Sequence, residues 1–263
     1  MNELIIRLSI FLIMLTSMCI WEVLKPKRDL RFNRKKRWPT NFVLMTINSL
    51  FIVVFIPFST ASIAFITNQN QWGFFNMISI SHLGSILLSI ILLDFIIYIQ
   101  HFIFHKIPIL WRLHQIHHID QDMDVTTGAR FHPIEILISF LLKCVFVILL
   151  GVPVLAILLF EIILNGLAMF NHSNIQIPKA IDKVLRIFVV TPDMHRVHHS
   201  VISEEYNTNF GFNLSLWDYI FGNYLAQPSN GHQMMDIGLN KYQNTQKIGL
   251  AKLLIVPFIK VKT

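Results

Sequence analysis

Residues 78–105 read ISISHLGSILLSIILLDFIIYIQHFIFH. From Ile78 to Tyr98 the run holds one formal charge, Asp94, and its length of about 20 residues suffices to cross roughly 30 Å of hydrocarbon. It does not stop at its polar end but continues toward His105, so a spanning helix delivers histidines at one membrane face. Asp94, Tyr98, His101 and His105 stand at i, i+4, i+7 and i+11, one continuous helical stripe. A buried helix with chemistry at its end decides the fold class.

Working outward, a first span is expected from Leu4 to Leu24, with Arg7 near enough to its end to snorkel. No small-residue cleavage site precedes the basic loop, so this stretch reads as a retained span and not a signal peptide. A second runs from Asn41 to Ile66 without a charge, kinked at Pro57. After Phe131 come two shorter apolar runs, Ile134–Leu150 and Val152–Phe170, separated only by Gly151. They read as a tight helical hairpin that dips into or crosses the bilayer. Beyond Asn171 the chain turns more polar and is expected to form a cap, and Ile248–Val261, with Lys252, Pro257 and Lys260, reads as interfacial.

Composition agrees. The chain of 263 residues is 54% hydrophobic, its mean hydropathy is +0.55, and charged residues make up 14%, against roughly 25% in soluble domains. A net charge of +7 would suggest nucleic acid in a soluble chain. Here 8 of the 22 Lys and Arg lie between Lys25 and Arg37, directly after the first run, which is the positive-inside signal, and no nucleic-acid partner is expected. Cys19 and Cys144 both sit in apolar runs, which excludes a disulfide framework or thiolate zinc site. With Lys25–Arg37 cytosolic, parity places the uncharged Thr67–Ser79 and the Gly151 turn outside and every clustered histidine on the cytosolic face. The expected fold is all-α: an integral membrane helical bundle of about three spans plus a hairpin, under a cytosolic histidine-rich metal-binding cap. Its expected parts are residues 1–77 (spans and basic loop), 78–225 (catalytic unit) and 226–263 (interfacial tail).

Twelve histidines occur, nine of them in four compact groups. His101 and His105 form HxxxH; His114, His117 and His118 form HxxHH; His172 stands in Asn171-His172-Ser173-Asn174; His195, His198 and His199 form a second HxxHH. Positions i, i+3 and i+4 share a helix face, so each triplet can aim its imidazoles at one point. A single buried histidine is most often a hydrogen-bonded core residue; two such triplets in one chain are not explained that way. Imidazole binds zinc, copper, iron and nickel, so the residue type does not choose the metal. Pro108 interrupts any helix that would pair His101 with His114 for haem, and no HExxH zinc-protease motif is present.

Metal-bound histidines normally pass their second N–H to a carboxylate or carbonyl. Asp94 and Glu161 are candidates for that role; Glu161, Asn165 and His172 also share phase at i, i+4 and i+11. His132, at the entrance to the hairpin, reads as a further ligand, a supporting donor or a helix-entry residue. His82 and His232 stand alone and read as packing, and Lys143 pairs with an acid or snorkels. Thr191-Pro192-Asp193 has the signature of a helix start, and the aromatic stretch Asn209–Tyr224 reads as packing and interface anchoring.

Five ordered motifs then carry a resemblance. Asp94…His101-x3-His105, Trp111-Arg112-Leu113-His114-x2-His117-His118, Arg130-Phe131-His132-Pro133-Ile134-Glu135, Asn171-His172-Ser173-Asn174 and Thr191-Pro192-Asp193-Met194-His195-Arg196-Val197-His198-His199 resemble the fatty acid hydroxylase and sterol desaturase superfamily over Leu83–Tyr224. The resemblance implies a cytosolic non-haem centre of two iron ions, with zinc as a possible substitute, and O2 as co-substrate. It implies hydroxylation or desaturation of a membrane lipid. The implied ligands are His101, His105, His114, His117, His118, His172, His195, His198 and His199; some members carry histidine where this chain has Asn171. No iron–sulfur or dinucleotide motif is present, so electrons are expected from a separate ferredoxin- or cytochrome-b5-like protein. The alternatives are a non-catalytic metal- or lipid-binding membrane protein on the same scaffold and a metal transporter, which would spread histidines through the membrane depth.

Overall fold

A computed structural model describes residues 3–243 and 248–259. Within them every extended element is helical, and only isolated antiparallel bridges such as Val189 with Leu214 occur. The apolar runs become α1 (Glu3–Leu24), α2 (Arg34–Phe55), α3 (Thr60–Gln69), the short α4 (Phe74–Met77) and α5 (His82–Lys106). Then follow α6 (Pro108–His118), α7 (Pro133–Leu150), α8 (Val154–His172), α9 (Lys179–Leu185), α10 (Pro192–His198), α11 (Ser203–Tyr206) and α12 (Leu216–Ile220). Among the described residues, five stretches are long and apolar enough to cross a membrane: Ile5–Leu24, Arg34–Met77, His82–Lys106, Pro133–Leu150 and Val154–His172. This is a membrane protein.

The second span is broken, not merely kinked. Helical bonding ends at Ile56, whose N–H reaches Ile52, and resumes where Ser59 and Ser62 form a reciprocal capping box. Pro57 supplies no N–H to continue the ladder, and the two serines satisfy the new N-terminus instead. In the hairpin, Gly151 takes a left-handed φ of +72° and ends α7. Gly73, at φ +90°, packs directly against it; a Cβ there would fall 2.1 Å from the Gly151 nitrogen. The loop after α3 and the hairpin turn therefore share one end of the bundle.

At the other end the basic segment docks onto the histidine layer. Lys27 reaches Asp193 at 2.5 Å, and the backbone N–H groups of Arg31 and Phe32 donate to Asp122 at 2.8 and 2.7 Å. Buried Arg37 forks onto both oxygens of Asp120, at 3.0 and 2.8 Å, and also pairs with Asp124. Burial pulls the Asp120 carboxyl up, but Arg37 and Arg130 outweigh it and hold the group below the ordinary carboxylate range.

Lipid removes most of the hydrophobic drive between helices, so close approach and van der Waals packing must hold the spans together. The core accordingly mixes small residues, Ala61, Ala64 and Ala156, with Leu93, Ile97, Val147, Ile157 and Phe160. The C-terminal segment brings Leu253 and Val256 against Leu44 of α2 and Ile116 of α6. Lys260 and Val261 lie outside the described residues.

Candidate metal centre

Four elements carry the nine histidines to one place. The last turns of α5 present His101 and His105, α6 presents His114, His117 and His118, the C-terminus of α8 presents His172, and α10 with its C-cap presents His195, His198 and His199. Helix α10 starts as its sequence predicts: Thr191 caps, accepting from the Met194 N–H, and Pro192 occupies the first position. All nine side chains are buried.

They form two adjoining groups. His101, His105, His114, His118 and His198 make one, His117, His172, His195 and His199 the other, with ligand atoms inside each group within 4.8 Å of one another. Neither triplet aims at a single point. In each, the i, i+4 pair (His114 with His118, His195 with His199) enters one group, and the i+3 member (His117, His198) enters the other. At about 100° per residue, an i+3 side chain stands roughly 60° to one side of i and an i+4 side chain about 40° to the other. Each triplet therefore straddles the two groups, stitching them together. The rings of His118 and His199 stack across the divide at 4.6 Å.

Proton placement tests whether these residues fit metal ions. Nδ1 of His101 lies 2.8 Å from the Phe210 carbonyl, Nδ1 of His198 2.8 Å from that of Thr208, and Nδ1 of His172 2.7 Å from that of Ala168. Nδ1 of His114 lies 2.6 Å from Glu135 Oε1. Carbonyls and carboxylates only accept, so these Nδ1 atoms carry the protons and the Nε2 lone pairs are bare. In the four-histidine group, Nε2 of His172 lies 3.0 Å from Nε2 of His117 and 2.9 Å from that of His195, which lies 3.3 Å from that of His199. Nitrogens at about 2.1 Å from a common ion would stand roughly 3 Å apart when adjacent. Nε2 of His101, His114 and His198, and both ring nitrogens of His105 and His118, are buried without a protein partner. Burial first, then the neighbouring imidazoles, push His117, His118, His195, His198 and His199 well below the ordinary histidine range. Buried ring nitrogens that converge in two groups fit a pair of cations.

Three other sequence candidates lie elsewhere. Asp94 accepts from the Asn213 and Leu214 N–H groups at 3.3 and 3.2 Å and from the Trp217 indole at 2.8 Å. Glu161 pairs with Arg7, with Lys143 at 3.2 Å and with Thr60 at 2.8 Å. Helical phase with a histidine on the same helix did place both acids on the inward face, but inward neighbours two or three turns away are other helices. His132 caps α7: its Nδ1 accepts from the Ile134 N–H at 3.1 Å, and Nε2 faces the Leu254 carbonyl at 3.3 Å. Neither ring nitrogen is left for a metal. Among the described residues, the carboxylate that does reach a clustered histidine is Glu135, which the sequence reading quoted only as part of a motif.

Phe131 closes one side. Its ring lies flat on His117, with centroids 4.5 Å apart and planes 9° apart, and at 6.2 Å from His114, so it touches both groups. The side chain is half-buried, and its carbonyl is held by Asn48 of α2 at 2.9 Å.

Known proteins are similar to this chain in sequence. The chain is 31% identical over 143 residues to ornithine lipid hydroxylase OlsE of Rhizobium tropici, covering 54% of this chain and 42% of that protein. It is 28% identical over 139 residues to alkylglycerol monooxygenase of Homo sapiens, covering 51% of this chain and 29% of that one. The matched region thus spans less than half the length of either relative. No solved structure matches. Residues 86–223, just over half of the chain and the stretch that holds all nine clustered histidines, match the family described as Fatty acid hydroxylase. The chain belongs to the fatty acid hydroxylase family.

Proposed function

We propose that this chain is a membrane-bound non-haem di-iron oxygenase that uses O2 to hydroxylate, or desaturate, a C–H bond of a lipid or sterol-like substrate. The observation that carries the reading is the pair of adjoining imidazole groups whose ring nitrogens converge within each group. His101, His105, His114, His118 and His198 would hold one ion and His117, His172, His195 and His199 the other. Five imidazoles around one point exceed the four-coordinate set usual for zinc, which favours iron. Such ions supply O2 activation when bound.

The chain's own residues do the rest. Carbonyl and carboxylate partners on Nδ1 lock the ring orientations before any ligand arrives. Burial of the nine rings limits the water that would waste the oxidant. The part-exposed Phe131, beside spanning helix α2, supports an approach from the bilayer on that side. One relative is named for ornithine lipid and another for alkylglycerol, which supports a lipid substrate here. The basic segment that docks on the histidine layer supports a cytosolic centre by the positive-inside rule. A soluble redox protein of the ferredoxin or cytochrome-b5 kind would deliver electrons at that face.

The test compares the lipids of cells carrying the wild type, the variant His198→Ala/His199→Ala, and no protein. The reading expects one lipid class gaining 16 or losing 2 mass units in the wild type alone. Identical lipids in all three, with the purified wild type holding its metal, would sink it.

A further inference from the structure

The segment Thr208–Asp218 lies against the five-histidine group yet supplies no ligand. Its inward residues are deeply buried: Asn209, Phe210, Ser215 and Asp218 are all 0% exposed. Two of its carbonyls face ligand rings, Thr208 toward His198 and Phe210 toward His101, each at 2.8 Å. Both histidines belong to the five-membered group. The comparable bond in the other group, from His172 to Ala168, stays within the ligand's own helix. Two rings of the five-histidine half are therefore held directly by this loop. Among the described residues, the loop meets the other half only through Asn171 and the Met194 carbonyl and touches none of its rings by hydrogen bond.

A carboxylate holds the loop. Asp218 Oδ1 accepts from the Phe210 N–H and Oδ2 from the Gly211 N–H, both at 2.8 Å. The Gly211 N–H and the Phe210 carbonyl are the two ends of one peptide plane. That plane is clamped between Asp218 on one side and Nδ1 of His101 on the other, and each bond polarises the peptide in the sense that strengthens the other. Glycine is required there, because a Cβ on residue 211 would fall 2.7 Å from Asp218 Oδ2. Asn209, at φ +53°, fixes the preceding turn through Met194 and Leu225. Asp94 fixes the following one through Asn213, Leu214 and Trp217.

We propose that Asp218 is a positioning residue for one metal of the pair: through the Phe210–Gly211 peptide it orients His101 and so sets the five-histidine half of the centre. This rests on the histidines holding metal, not on the reaction they support.

The test is iron content and Mössbauer spectra of 57Fe-loaded protein purified in detergent, for the wild type, Asp218→Ala, Asp218→Asn and Gly211→Ala. Asp218→Ala is expected to fall from about two irons per chain to about one, with the remaining iron's spectrum unchanged. Asp218→Asn keeps the shape and one acceptor oxygen, so it should retain both irons with an altered quadrupole splitting in half of the signal. Gly211→Ala should resemble Asp218→Ala, because it pushes the carboxylate away. A general packing role predicts equal loss or equal change of both irons, and that result overturns the proposal, as do unchanged spectra in all three variants. If Asp218→Ala fails to fold, the one-sided change in Asp218→Asn decides. A wild type that holds two irons but oxidises no lipid would refute the oxygenase reading and leave this one standing.

Discussion

Glu135 Oε1 sits 2.6 Å from Nδ1 of His114, so the first turn of α7 buttresses a clustered histidine carried by α6. Both residues are buried, and Oε2 of Glu135 has no protein partner. An ionised carboxylate raises the basicity of its imidazole and holds the ring in place. Glu135→Gln is predicted to weaken metal binding by about 10–100-fold, the usual range for such partners. Competition with a chelator measures it, and an affinity equal to wild type would contradict this role.

Glu161 should behave in the opposite way. Its ties to Arg7, Lys143 and Thr60 join α1, α7 and α3 to α8 within the spans. Glu161→Gln breaks a mostly buried ion pair, which costs about 3 kcal/mol or more of stability. Thermal unfolding in detergent should show the loss while iron per chain stays at the wild-type value. Iron loss without destabilisation would return Glu161 to the centre.

Phe131 lies flat on His117 while remaining half-exposed. Phe131→Ala is predicted to keep both metals and to change which carbon of the lipid is attacked, or to let the oxidant discharge without product. Product mapping against wild type checks this, and an unchanged product pattern at an unchanged rate would remove the ring from the substrate path.

His232 gives a pH dependence. Burial pushes it down to about 4 from an ordinary 6.5, Asp193 pulls the other way, and Arg196, Lys27 and Arg186 add to the depression. The folded value lies below the unfolded one, so the contribution is fully present above pH 6.5 and is lost as pH falls through about 4. It amounts to about 3 kcal/mol. Acid unfolding of His232→Asn should begin at a lower pH than that of the wild type; coincident curves would contradict the assignment.

Much of this was legible in the residues alone. Hydropathy marked the spans, Gly151 the hairpin turn, and the HxxxH, repeated HxxHH and Asn-His-Ser-Asn motifs the nine histidines that the structure brings together. The sequence predicts only a kink at Pro57, whereas the helix breaks after Phe55, because the Ser59–Ser62 box caps a new N-terminus two residues beyond Pro57. The division of each triplet between two groups needs the relative rotation of α6 and α10, which no single-helix periodicity contains. The supporting contacts were hidden for the same reason. Glu135 meets His114, and Asp218 serves His101, across sequence gaps that only packing closes, whereas Asp94 and Glu161 were judged along their own helices. The stretch Asn209–Tyr224 does more than pack and anchor: it holds the Phe210 carbonyl that faces His101 and, in Asp218, that carbonyl's support.

The most direct test of the central claim is 18O2 incorporation. Purified protein loaded with iron, supplied with a reductant and its electron carrier and presented with membrane lipid, is predicted to place one 18O atom in a lipid product, or to form an 18O-free alkene if the step is desaturation. His198→Ala/His199→Ala should form neither. A wild type with both metals bound that yields no labelled and no desaturated lipid would contradict the account.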